Sequence, residues 1–193
     1  MKLKIFLQDF SVHILCLITL IFLYSVINYS LEQEVKEYYI NLEVEKIGHR
    51  LIKISANTNF PDGTNFMIDV YRTYYQKGKS EDYVGIILQK KNIIVTNGKI
   101  EELEVNINDS IWHNEYNRKA EKFKGIIDFP GISRISPKIE VQVFFTPRAG
   151  SQSKGILKIL GTHGEFISGP AIEKSGGWTY YRVSKLVDMP FQK

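Results

Sequence analysis

Beyond an opening apolar run, the chain offers three histidines for acid–base or metal chemistry, His49, His113 and His163. None falls in an H-x-x-x-H spacing, and the single cysteine, Cys16, lies inside the run, so no zinc-type ligand set forms in sequence. His163 and Glu165 are two apart, so on a strand they would share a face, and a third ligand would let them hold a metal and activate water. That pair is where a hydrolase or metal-dependent site would be centred. Between Gly161 and Gly164 it also reads as an exposed polar pair beside a turn. Glu101, Glu102 and Glu104 look like the wet face of a strand, and only separation in space could make them a glycosidase pair. There is no G-x-S-x-G, phosphate loop or cofactor motif, and the expectation is a protein without catalysis, cofactor or metal.

Binding chemistry is better represented. Tyr71, Tyr74, Tyr75, Tyr83, Phe144, Trp112 and Tyr116 occupy nominally wet strand positions or loops. Tyrosine and tryptophan give large, stiff contact area with a polar handle, which suits protein or carbohydrate surfaces. The expected binding face is Tyr71, Tyr75 and Trp112. The competing reading is that loops cover these rings, or that a strand's phase slips by one residue. Charge points to no polyanion. Of 25 basic and 21 acidic residues, only Lys2, Lys4 and Asp9 precede or touch the run, so the remainder carries a scattered surplus of three and nucleic acid is not expected.

The elements that must position these residues begin with the run itself. Phe10 to Tyr29 contains no Asp, Glu, Lys or Arg and as a helix would be about 30 Å long, enough to cross the hydrocarbon core. Lys2 and Lys4 precede it and Glu32, Glu34 and Glu37 follow, so the carboxyl-terminal part is expected outside the cytoplasm. Asn28 two residues before Ser30 is a poor match to a signal-peptidase site, which favours a retained anchor over secretion after cleavage. The expected organisation is a cytoplasmic tail (1–9), a transmembrane helix (10–29), a juxtamembrane stalk (30–37) capped by Ser30, and one exported domain (38–193).

Period-two alternation dominates that domain. Tyr38, Ile40, Leu42 and Val44 share one phase; so do Ile52, Ile54 and Ala56; Phe66, Ile68 and Val70; Leu103, Val105 and Ile107; and Ile139, Val141, Val143 and Phe145. Further apolar runs at Val84 to Leu88, Ile93 to Val95, Ile156 to Leu160 and Trp178 to Val183 bring the expectation to about eight or nine strands. Pro61-Asp62-Gly63 reads as a tight turn, and Asn97-Gly98 predicts an antiparallel hairpin between its flanks. Only Glu115 to Lys124 has a helical period, so the crossover helices of a parallel sheet are missing and an antiparallel β-sandwich follows.

Asn59-Phe60-Pro61-Asp62-Gly63-Thr64 resembles the N-x-P-D-G-T signature of a family of uncharacterised immunoglobulin-like domains in bacterial exported proteins. Asn97-Gly98-Lys99, Pro130-Gly131 before Ile139 to Phe145, and Gly161 to Glu165 leading to Gly169-Pro170 follow in matching order, over about Glu45 to Pro170. The resemblance implies an immunoglobulin-like fold and an extracytoplasmic address, with no catalytic residues to carry over. The combined expectation is a membrane-tethered binding or assembly module, its partner a cell-envelope protein or polysaccharide. A structural spacer is the other non-catalytic alternative.

Overall fold

The computed structural model describes residues 18–21, 35–77, 83–122, 124–125, 131–148 and 150–192. The chain divides into two units, 1–36 and 37–193. In the first, residues 18–21 are helical and exposed. The rest of the expected anchor, and Ser30 with most of the stalk, lie outside the described residues; among the described residues no helix is long and apolar enough to cross a membrane. The stalk's end is extended rather than helical, because Lys36–Glu37 forms a short strand, β1.

The second unit is built from antiparallel strands. A large sheet has the order β5 (Tyr83–Ile94), β4 (Asn65–Gln76), β7 (Ile132–Phe145), β10 (Trp178–Asp188) and β9 (Ile172–Ser175). A small sheet has the order β2 (Ile40–Lys46), β3 (Leu51–Thr58), β6 (Lys99–Asn106). The two-residue strand β8 (Ile167–Ser168) precedes β9 in the chain.

Alternation sets which face is buried. Along β4, Phe66, Ile68, Val70, Arg72 and Tyr74 point inward while Met67, Asp69, Tyr71, Thr73 and Tyr75 form the outer face. Ile52, Ile54, Phe66, Ile139, Val141, Val143 and Phe145 are fully buried in one cluster that draws on both sheets. Each such aliphatic or aromatic side chain removed from water stabilises by about 1.5–3 kcal/mol.

The turn motifs lock one end of this core. Gly63 and Gly98 adopt positive φ, and Gly98 N–H donates to Asp62 Oδ1 at 3.0 Å. Gly63 N–H donates to Val95 O and Val95 N–H to Thr64 O, both at 2.9 Å, so the two motifs are bonded to each other. Asn59 reaches back to the domain's start, accepting from Tyr39 N–H at 2.8 Å and donating to Glu37 O at 2.9 Å. The N-x-P-D-G-T stretch is therefore turn and strand-end chemistry throughout.

Two expectations need correction here. Asn97-Gly98 makes the expected two-residue turn, with a Thr96–Lys99 bridge, but its flanks do not zip into a hairpin. Ile93 and Ile94 pair with Phe66 and Asn65 in the large sheet, whereas Lys99 and Ile100 pair with Asn57 and Ala56 in the small one. The turn therefore carries the chain between sheets. Ile156 to Leu160 is helical, not a strand: Ser153 caps α2 (Lys154–Leu160) by accepting from Ile156 N–H at 3.3 Å, and Ile156 and Leu160, four apart, turn together into the core.

Helix α1 (Asp109–Lys122) begins earlier than the periodicity indicated. Asn108 starts it, its side-chain oxygen accepting from Ser110 N–H at 3.0 Å.

Candidate partner-binding face

The three aromatics expected to form a binding face separate. Trp112 is 0 % exposed. On α1 it and Tyr116 stand four apart, a helical spacing that turns both rings toward inward-phase Tyr74, at centroid distances of 5.6 and 5.4 Å. Phe191 closes the other side of Trp112 at 5.4 Å. Trp112 is thus core, and it faces away from the outer positions of β4. Tyr71 and Tyr75 do share that outer face, both half-buried. Tyr71 lies flat on β5, where a Cβ at Gly85 would come within 2.9 Å of its ring.

Tyr75 is part of a groove of about 400 Å³ lined also by Thr73, Arg134, Ser136, Lys138, Glu140 and Leu186. The Arg134 guanidinium lies 4.1 Å from the Tyr75 ring centroid. A bulge shapes the groove: the step from Arg72 to Tyr74 on β4 is matched by the longer step from Ile139 to Ile135 on β7, with Pro137, which cannot donate to a ladder, in the excess. Arg72 holds that bulge from the core side by donating to Ser136 O at 2.8 Å.

Toward the other end of the same face, a second groove of about 540 Å³ is lined by Met67, Phe144, Thr146, Arg148, Tyr180 and Arg182 among others. Phe144 and Tyr180 stack at 5.5 Å and 17°. Arg182 lies 5.0 Å over Phe144, and Arg148 Nε donates to the Tyr180 hydroxyl at 3.0 Å. Asp69 lies on the same outer face. Burial pushes its carboxyl up, and the positive charges of Lys90 and Arg182 only partly offset this.

Arg134, Arg148 and Arg182 were not singled out in sequence, where basic residues read as scattered. The signal available was parity: Arg134 has the phase of Phe144 along β7, and Arg182 that of Tyr180 along β10.

His49, His113 and His163 do not converge. His49 Nε2 meets Gln192 Nε2 at 2.8 Å, and the His113 ring packs 5.1 Å from Phe191. His163 is exposed, its ring 4.5 Å from Trp178, and its backbone N–H donates to Glu165 Oε2 at 2.7 Å. Burial works upward on Glu165, but backbone N–H groups of Glu165, His163 and Thr162 outweigh it and hold its carboxyl below the usual range. Glu165 therefore closes the Gly161–Glu165 turn. Among the described residues no group of three His, Cys, Asp or Glu side chains is placed to hold a metal.

A buried ionic network had no counterpart in the sequence reading. Asp109, at the first turn of α1, accepts from Arg72 Nε at 3.0 Å, from Gln192 N–H at 2.9 Å and from Arg50 Nη2. Arg50 also donates to Pro190 O at 2.7 Å. Burial pulls the Arg72 guanidinium below its ordinary value, with Asp109 pushing back. The network ties α1, β4 and the carboxyl-terminal segment together beneath the Tyr75 groove.

No family model, curated protein or solved structure matches this chain.

Proposed function

We propose that the chain is a membrane-tethered, exported binding or assembly module without catalysis, and that its partner is a cell-envelope protein or polysaccharide. The observation that carries the reading is the outer face of the large sheet, where two grooves each combine tyrosine or phenylalanine with arginine. Both residue types are enriched where binding energy concentrates, and a rigid sheet presents them at little entropic cost. The tether reading rests on the uncharged run from Phe10 to Tyr29 and its flanking charges.

An immunoglobulin-like sandwich is the architecture we assign to the exported part. It is supported by the order β2-β3-β6 facing β5-β4-β7-β10, the arrangement of strands A-B-E against C′-C-F-G, and by inward side chains of both sheets in one cluster. The test is capture from envelope extracts by the full chain, comparing the parent with a Tyr75→Ala, Arg134→Ala double variant. The reading expects the partner to be lost while the fold is kept. Undiminished capture of every partner by the double variant would refute this face.

A further inference from the structure

Strand β9 pairs with β10 only from Trp178 to Tyr181. Arg182 N–H still donates to Ala171 O at 2.9 Å, but from Val183 to Asp188 β10 has β7 on one side and, among the described residues, no strand on the other. The interior beside this open edge is unfinished. Val183 and Val187 point inward from β10 yet remain only half-buried, as do Leu42 and Val44 of β2, which packs alongside in the small sheet. Leu186, on the outer phase, is 61 % exposed.

The residue between the two valines on the inward phase is Lys185, which is exposed although its β7 partner Val141 is fully buried. A lysine at this place can lay its stem along the apolar seam while its ammonium stays in water at the edge. An inward-phase charge on an edge strand is a device against indiscriminate strand pairing, and in particular against a second copy of this chain, whose own Lys185 would face it in the register that pairs Ser184 with Leu186.

The same charge makes the edge selective. We infer that β10 from Val183 to Asp188 is a docking edge for an extended segment of a partner protein, one carrying an acidic residue opposite Lys185 with apolar residues two positions to either side. The backbone ladder would continue the large sheet, the apolar residues would cover Val183 and Val187, and the carboxylate would meet the ammonium. Specificity then comes from an attractive element and a repulsive one at the same position. The inference rests on the reading of this chain as a binding module, but uses the sheet's edge rather than the Tyr75 groove.

The test uses the full chain in lipid nanodiscs and two labelled peptides of alternating threonine and valine, one with a central glutamate and one with a central lysine. An opposite-charge cross-strand pair set against a like-charge pair gives an expected preference of about tenfold for the glutamate peptide. Hydrogen-exchange protection should appear within 183–188. Lys185→Glu should reverse the preference, and Lys185→Gln should abolish it while binding both peptides. Equal or absent binding of the two peptides by the parent, or protection confined to other segments, would overturn the proposal. So would cross-linking of parent copies to one another through 183–188, which would make a second copy the occupant. Retention of the peptide preference in the Tyr75→Ala, Arg134→Ala variant would separate this edge from the outer face.

Discussion

Replacing Asp109 by alanine tests the buried network that supports the Tyr75 groove. The carboxylate accepts from Arg72 at 3.0 Å and Gln192 N–H at 2.9 Å, and from Arg50; its loss leaves Arg72, 0 % exposed, with the Ser136 carbonyl at 2.8 Å and the Phe191 ring but no counter-charge among its described partners. Stranding one charge of a buried pair costs about 3–5 kcal/mol. Arg72→Met removes the stranded charge, so the double variant should be less destabilised than the sum of the singles by about 2 kcal/mol. Urea denaturation followed by tryptophan fluorescence reads this well, because Trp112 packs on Tyr74 and Phe191 beside the network. A cost below about 1 kcal/mol for Asp109→Ala, or additive single effects, would refute the argument. The bulge at Ser136 should also loosen in Arg72→Met, raising hydrogen exchange there before the rest of β7.

Trp112→Ala should cost about 3–5 kcal/mol in urea denaturation followed by circular dichroism, as befits a core ring; a near-neutral change would return Trp112 to the surface. Asp69 has its carboxyl pushed above the usual range, so the folded chain holds a proton that the unfolded chain has released, and stability falls as pH rises from the ordinary carboxylate value through the elevated one. Asp69→Asn should therefore gain on the parent as pH rises through that window, and a constant difference across it would contradict the burial argument. Gly169, at φ 139°, lies where a Cβ would be driven into the Tyr38 carbonyl oxygen. Gly169→Ala should lower stability by more than about 1 kcal/mol, measured by thermal unfolding.

Much of the sheet structure was readable because alternation is a local signal. Ile52, Ile54 and Ala56, Phe66 to Val70, and Ile139 to Phe145 are buried in the phase their spacing indicates. Partner choice is not local. Asn97-Gly98 specifies a turn, but hydrogen bonds to Thr64 and Thr58 decide that its flanks enter different sheets. At Ile156 to Leu160, a short apolar run suits strand or helix alike, and the Ser153 cap settles the matter. Trp112 was placed on the wrong side because the helix starts at Asp109, which turns it inward with Tyr116. The Arg72–Asp109 and Arg50–Asp109 pairs join residues 37 and 59 positions apart, beyond any spacing rule. Arg134 and Arg182 were within reach, given attention to parity with neighbouring aromatics.

The central claim is that the outer face of the large sheet meets a partner at the cell envelope. Its most direct test is photo-cross-linking in intact cells, with a photoreactive phenylalanine analogue replacing Tyr75 and, as a control, Glu43 on the exposed side of β2. The expected result is a discrete adduct from position 75 and none from position 43. No adduct at 75, or the same adduct from both positions, would contradict the claim.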